Sequence, residues 1–278
     1  MSAPRRTTTA SAIFLLAIFA LTGCGQQKGR SEVLNHSTEG HLSIGITYDQ
    51  PGLGQHLADD TVRGFDVDVA KYIAQRLNVP ENGISWKQVP LADREIAIER
   101  GEVDFIAAAY SITAQRQQRV TFAGPYYIAA QDLLVREDEK SINGPGELTG
   151  RRLCSVKGTT SAERVRQQYA ANVQLVEYPQ FDRCITALLA AQVDAVTTDD
   201  VILAGYLAKN PELLRLVGRK FGEERYGIGL RKGDDEGRTR INAAIQQMIS
   251  SGAWNAALTR NFPSPEFQPN PPPQVGQE

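Results

Sequence analysis

Residues 101–116 read Gly-Glu-Val-Asp-Phe-Ile-Ala-Ala-Ala-Tyr-Ser-Ile-Thr-Ala-Gln-Arg, and the layout of this stretch decides the fold. Gly101 follows a helix-patterned segment, Ala92 to Arg100, and is the residue type on which helices commonly end. Val103 to Ala108 is then a short, nearly unbroken apolar run, the pattern of a strand covered on both faces. Such a strand needs helical layers around it, so its neighbours should alternate between strand and helix. Upstream, His41 to Thr47 reads as a strand. Gly64-Phe65-Asp66 opens a helix, with Asp66 and Asp68 at its positive end and Val69, Tyr72, Ile73 and Leu77 at helical spacing. Ile84 to Val89 reads as a strand.

The alternation continues downstream. Arg152 to Val156 is a strand, Ser161 is placed to cap a helix running to Tyr169, and Val173 to Tyr178 is a strand. Asp182 opens a helix carrying Ile185, Leu188 and Leu189. Val193 to Thr197 is a strand, and Asp199 or Asp200 caps the helix that ends before Pro211. A long helix from about Asp235 to Ser250 and a shorter one around Trp254 to Arg260 complete the pattern. The rhythm predicts an α/β protein of two lobes with mostly parallel sheets. In such folds ligands sit at the carboxyl ends of strands, near helix N-termini.

Composition fits this reading. The chain has 278 residues, 41% of them hydrophobic and 22% charged. The formal net charge of −2, with no basic block, argues against a nucleic-acid partner. The only histidines, His36, His41 and His56, form no ligand cluster, so no metal and no cofactor is expected.

The two ends stand apart from the fold. Arg5 and Arg6 precede Ser11 to Leu21, an apolar run of signal-peptide length, shorter than the roughly 20 residues needed to span a bilayer. Leu21-Thr22-Gly23-Cys24 resembles the lipobox of bacterial lipoproteins. A signal peptide over 1–23, a lipidated Cys24, an extracytoplasmic location on the cell membrane and a flexible tether over 24–40 are the expectations. A plain cleaved signal and an uncleaved anchor helix are the other readings. The Pro-rich end, 263–278, is expected to be a tail that is disordered or extended and not helical. In an oxidising compartment Cys154 and Cys184 read as a disulfide, with two buried thiols as the alternative.

Gly64-Phe-Asp-Val-Asp-Val-Ala70, the stretch from Gly101 to Arg116, and Val120-Thr-Phe-Ala-Gly-Pro-Tyr-Tyr127 together closely resemble the polar-amino-acid solute-binding proteins of ABC importers, the extracellular solute-binding protein family 3. With Gly158-Thr-Thr-Ser161, Cys184 and Thr198-Asp-Asp200, the chain looks most like the glutamate-type lipoprotein members. The resemblance covers about residues 41 to 262. It implies a hinged, type II periplasmic-binding-protein fold, with lobe 1 over 41–136 plus 229–262 and lobe 2 over 137–228. The two crossovers are expected near Val135 to Lys140 and near Tyr226 to Leu230.

The resemblance also implies a site. Arg116 corresponds to the arginine that grips the α-carboxylate, a planar partner suited to a guanidinium. Ser111 matches the hydroxyl beside it, and Ala109 a position whose backbone touches the ligand. Asp199 matches the carboxylate that accepts the α-ammonium, although it could instead cap the following helix, and Asp200 competes for both roles. Gly158, Thr159 and Thr160 precede a helix whose N–H groups suit a carboxylate; an ordinary capped turn is the alternative. Arg94 stands where glutamate-type relatives have arginine and glutamine-type relatives an apolar residue, which implies an acidic ligand. A surface arginine paired with Asp93 or Glu95 is the competing reading. Thr47 and Tyr48 are expected to line the side-chain pocket, Tyr48 alternatively the core, and Leu91 to form a wall. No ligand contact is assigned within 49–63.

The expected function is a non-enzymatic, monomeric receptor that captures glutamate, with aspartate or glutamine as further candidates, and delivers it to an ABC permease and its ATPase. An amino-acid sensor and a dehydratase on the same scaffold are the alternatives. Catalysis would need a pocket acid or base without a binding role, and the sequence offers no spare histidine or nucleophile–base pair.

Overall fold

A computed structural model describes residues 31–264 and 267–276. The leader and Cys24 lie outside the described residues. The main sheet is mixed, in the order Ile84–Gln88, Leu42–Ile46, Phe105–Ile106, Phe221–Arg231, Val120–Arg136, Ala195–Asp199, Arg152–Val156, Gln174–Tyr178, with Leu214–Leu216 also paired to Val120–Arg136; the short strands Asp49–Gln50, Gly54–His56 and Val62–Arg63 form a separate antiparallel hairpin sheet. Each end of the main sheet is parallel: Leu42–Ile46 lies between two parallel neighbours, and so does Arg152–Val156. Helices complete the crossovers, as the alternating pattern requires.

The two central strands are long, antiparallel and shared by both lobes. Phe221–Arg231 pairs through Gly229 and Leu230 with Phe105–Ile106 of the first lobe. Val120–Arg136 pairs through Gln131 to Leu134 with Ala195–Asp199 of the second. Between these contacts Tyr127 lies opposite Tyr226, and the register of the pair shifts between Tyr226 and Ile228. Such irregularities bend a strand and strengthen its local twist. The first crossover is therefore earlier than the expected Val135 to Lys140. Residues 131–136, assigned to lobe 1 from the sequence, pair with second-lobe strands. Local residue pattern does not reveal where a strand exchanges one partner for another.

One buried apolar cluster, with Phe65 and Trp254 among its members, runs from the first lobe into the second. In the first lobe Phe65 meets the Trp254 ring edge-on at 5.6 Å, and Trp254 Nε1 donates to Tyr126 O at 2.8 Å. Gly64, which opens the Phe65–Arg76 helix, has φ 135°, and a Cβ there would lie 1.9 Å from Leu53 O, so only glycine fits. In the second lobe Leu133, Leu153, Val165 and Ala195 are fully buried together. Cys154 and Cys184 are disulfide-bonded, joining the Arg152–Val156 strand to the Phe181–Leu189 helix across a separation of 30 residues. Replacing both cysteines by serine should lower stability by about 3–4 kcal/mol, from loop-closure entropy restored to the unfolded chain. Urea denaturation of the oxidised wild type against the double variant measures it.

Both ends are docked, against the expectation of a tether and a tail. Within the segment expected as tether, Glu32–Thr38 is a helix capped by Ser31, and Val33 is buried. Ser31 Oγ donates to Asp234 Oδ2 at 2.7 Å, Arg231 pairs with Glu32 at 2.7 Å, and His36 Nδ1 meets Asp104 Oδ1 at 2.5 Å. A seven-residue helix is unstable alone; these long-range contacts, invisible to local pattern, hold it. At the other end, residues 267–276 are extended, one of the two forms expected, but docked. Phe267 packs on Phe262, Asn270 Nδ2 donates to Ile128 O at 2.9 Å, and Gly276 N donates to Gly124 O at 2.7 Å. Prolines remove donors without preventing side-chain packing.

Two capping expectations also change. Thr160, not Ser161, occupies the cap position of the Ser161–Gln168 helix, and its side chain makes no capping bond. Asp199 occupies the cap position of the Asp200–Lys209 helix, likewise without a capping bond.

Candidate ligand-binding cleft

A narrow cleft between the lobes collects the carboxyl ends of the parallel strands. The first lobe contributes Arg94, Ala109, Ser111 and Arg116, and the second contributes Thr159, Thr160 and Asp199. Leu91 also lines it.

Arg94 opens the Arg94–Glu99 helix and is 2% exposed. Its Nε donates to Leu91 O at 3.0 Å, its Nη1 to Ala108 O at 3.0 Å and Ala109 O at 3.3 Å, and its Nη2 to Gly158 O at 3.1 Å. The guanidinium lies 4.3 Å from the centre of the Tyr110 ring. All these partners are neutral; the surface pairing with Asp93 or Glu95 does not occur. Burial, and then the neighbouring Arg116, pushes the Arg94 pKa down to about 9, which leaves it cationic at neutral pH.

Arg116 sits in the short helix Ala114–Gln117, which Thr113 caps. Its Nη1 donates to Ser111 O at 2.8 Å and its Nη2 to Gly158 O at 2.8 Å, and Nε lies 3.5 Å from Glu95 Oε1. Tyr110 is shared by both cations, with Arg116 5.1 Å from the ring centre. Gly158 is thus a second-lobe carbonyl held by two first-lobe guanidinium groups. A Cβ at Gly158 would lie 2.5 Å from Ala92 Cα, so the lobes are in close contact here.

Ala109 has φ 43°, a conformation that costs a non-glycine residue free energy. It is held from both sides. Its N–H donates to Asp66 Oδ2 at 2.9 Å while its carbonyl accepts from Arg94. Asp66 also accepts from Tyr126 OH at 2.8 Å. Burial raises the Asp66 carboxyl to about 6, against the pull of Tyr126 and the Ala109 N–H.

The choice between Asp199 and Asp200 is geometric. Asp200 is engaged in structure: Oδ1 accepts from Val201 N at 2.8 Å and Ala130 N at 3.2 Å, and Oδ2 meets Lys220 Nζ at 2.7 Å. Asp199, 5% exposed, accepts from Tyr226 OH at Oδ2 over 2.5 Å, while its Oδ1 has no protein partner. Burial and then Glu224 raise its carboxyl to about 8, although the Tyr226 bond pulls it down.

Some expected positions fall elsewhere. Thr47 and Tyr48 are not in the cleft wall. Thr47 is buried behind the short hairpin, against Gly54, and Tyr48 stacks on His56 at 4.8 Å. Thr160 lines the cleft, but its hydroxyl donates to Glu224 Oε1 at 2.8 Å; Thr159 Oγ1 donates to Val156 O at 2.8 Å. Thr159 N also donates to Val156 O at 3.2 Å, so Thr159 brings no free donor to the cleft.

The sequence reading missed Gln50. It is 0% exposed, lines the cleft, and neither Nε2 nor Oε1 has a protein partner. Phe181 and Ile202 also line it unanticipated. Gln50 ends the two-residue strand Asp49–Gln50, within a polar, glycine-rich stretch of sequence, and a glutamine there carries no local signal of burial.

Two lobes on shared central strands, with the cleft at the strand ends, define a type II periplasmic binding protein. A family model, bacterial extracellular solute-binding proteins, family 3, matches residues 42–264, and the chain belongs to that family. Among curated proteins, glutamate-binding protein GluB of Corynebacterium glutamicum is 42% identical, covering 94% of this chain and 93% of its own length. The ABC transporter glutamine-binding protein GlnH of Bacillus subtilis is 31% identical, covering 87% of this chain and 92% of its own. Among solved structures, an ancestral arginine-binding protein bound to glutamine matches with a TM-score of 0.75 at 30% identity, over 81% of this chain and 99% of that one. No helix among the described residues is long and apolar enough to cross a membrane.

Proposed function

We propose that this chain is the lipid-anchored receptor of an ABC importer. It captures an acidic amino acid, glutamate above all, between its lobes and hands it to the permease. Cys24 carries the anchor, and the receptor works as a monomer without a cofactor. Arg116 and the backbone N–H groups near Thr160 hold the α-carboxylate, Asp199 accepts the α-ammonium, and Arg94 with Gln50 meets the side-chain carboxylate.

The observation that carries the reading is Arg94, a buried guanidinium bonded only to carbonyl oxygens. A buried charge without a counter-ion is costly, and a ligand carboxylate supplies one. The balance of the cleft agrees. With Asp199 ionised, the form an ammonium ligand favours, Arg94, Arg116 and Asp199 leave one excess positive charge among the lining residues, and an acidic amino acid carries one excess negative charge. The curated relatives named above are binding proteins for glutamate and glutamine, which supports a receptor over an enzyme.

Isothermal titration of the purified protein with glutamate, aspartate, glutamine, lysine and arginine tests the ligand class. Glutamate should bind at least about tenfold more tightly than glutamine, the tenfold step being 1.4 kcal/mol. Binding of lysine or arginine with none of glutamate would overturn the acidic assignment.

A further inference from the structure

We infer that Tyr226 is a positioning residue that holds the ammonium-binding carboxylate from the opposite lobe, so that lobe closure and presentation of Asp199 are one event. The inference rests on the reading of Asp199 given above.

The backbone around Tyr226 is tied to the first lobe. Gly227 N donates to Tyr110 O at 2.9 Å, Ile112 N donates to Arg225 O at 2.8 Å, and Ser111 bridges directly opposite Tyr226. This is the segment that leads to Arg116. The Tyr226 hydroxyl instead reaches Asp199 Oδ2, at the carboxyl end of the second-lobe strand. The ring between these anchors is fully buried, with Tyr126 and Tyr127 at 6.0 and 5.8 Å. One residue thus spans the hinge, its main chain on one lobe and its polar tip on the other.

The consequence for Asp199 is directional. With Oδ2 fixed by Tyr226, rotation of the carboxylate is restrained and Oδ1, which has no protein partner, is the oxygen offered to a ligand. The other groups around Asp199 are held by partners or are neutral. Glu224 is paired with Arg164 at 2.7 Å and accepts from Thr160, Asp200 is paired with Lys220, and Tyr127 contributes a buried hydroxyl. Among the described residues, Tyr226 is the one that donates to the Asp199 side chain. A hydrogen bond to a carboxylate favours its charged form, which is the form an ammonium needs.

The test is titration of L-glutamate between pH 5.5 and 9 into wild type, Tyr226→Phe and Asp199→Asn, with thermal melts of each. Tyr226→Phe should weaken binding at pH 7 by about ten- to a hundredfold, the range for a hydrogen bond to a charged group. It should also move the midpoint of the affinity–pH profile upward. Replacing Tyr226 by 3-fluorotyrosine, a stronger donor in a near-native ring, should move the midpoint downward and covers the case in which the phenylalanine variant fails to fold. Should Asp199→Asn lose binding while both Tyr226 substitutions leave the midpoint where it is, the positioning role is overturned and the Asp199 reading survives. Wild-type affinity in Asp199→Asn overturns both.

Discussion

Replacing Arg94 by methionine lowers glutamate affinity by about 150- to 4,000-fold, because removing one partner of a buried charge pair costs about 3–5 kcal/mol. Glutamine, whose side chain brings no charge, loses far less, so the ranking of the two ligands narrows or inverts. The ratio is the quantity to measure. Arg94 also donates to the carbonyls of Leu91, Ala108, Ala109 and Gly158. Leaving such groups unpaired destabilises the protein by about 1–3 kcal/mol each, and absolute affinities fall for every ligand with that loss. Arg94→Lys keeps the charge but not the planar fork, and should fall between wild type and Arg94→Met. Equal losses for glutamate and glutamine in Arg94→Met, by calorimetry, would assign Arg94 to structure alone.

Asp199→Asn acts on the part common to all amino acids. It should weaken glutamate, aspartate and glutamine alike by about 30- to 4,000-fold, the 2–5 kcal/mol typical of a truncated charge pair. A loss confined to one ligand would contradict its reading as the ammonium acceptor. The elevated Asp199 carboxyl adds a pH signature. In the ligand-free protein it titrates near about 8, well above the ordinary carboxylate range. An ammonium ligand favours the ionised form, so binding below pH 8 expels a proton and affinity rises with pH toward that value. Calorimetry in buffers of different ionisation enthalpy counts the proton. The unliganded protein shows the opposite dependence. Its folded state holds this proton more tightly than the unfolded chain does, so this group's contribution to stability is full at acid pH and is lost as pH rises through about 8. Asp199→Asn removes both effects.

These two variants separate the functions that the lobes divide between them. Arg94 belongs to the first lobe and, in the proposed function, discriminates among side chains; Asp199 belongs to the second and in that proposal reads the backbone common to them. Tyr226 connects the two. Its main chain lies with the Tyr110–Ile112 segment and its hydroxyl with Asp199. A receptor of this kind need not carry strain in either lobe to couple closure to binding. It needs one buried contact that is correctly made in the closed form.

The parallel strands and most helices were legible because their apolar periodicity is local; the two long central strands, Val120–Arg136 and Phe221–Arg231, were not anticipated. The sheet at each end of the molecule follows from runs such as Leu42–Ile46 and Arg152–Val156, which carry their own pattern. Arg94, Arg116 and Asp199 were legible through the motifs around them, and all three line the cleft. The pairing of Cys154 with Cys184 followed from two cysteines left in an exported chain. Thr47 and Tyr48 were misplaced because a strand end indicates a neighbourhood, not which side of the backbone a side chain takes.

What only the tertiary structure decided depends on residues far apart in the chain. Ser31–Thr38 folds because Asp234, Arg231 and Asp104 meet it, and the C-terminal segment docks because Gly124 and Ile128 present carbonyls to it. Asp199 differs from Asp200 only in that the latter's oxygens are already engaged by Ala130, Val201 and Lys220. Gln50 becomes a candidate ligand contact solely through burial without a partner. Local sequence fixes periodicity and residue type, and therefore the elements. Which polar atoms remain unpaired in a buried cleft depends on where every other donor and acceptor has gone, and that is settled only when the whole chain has folded.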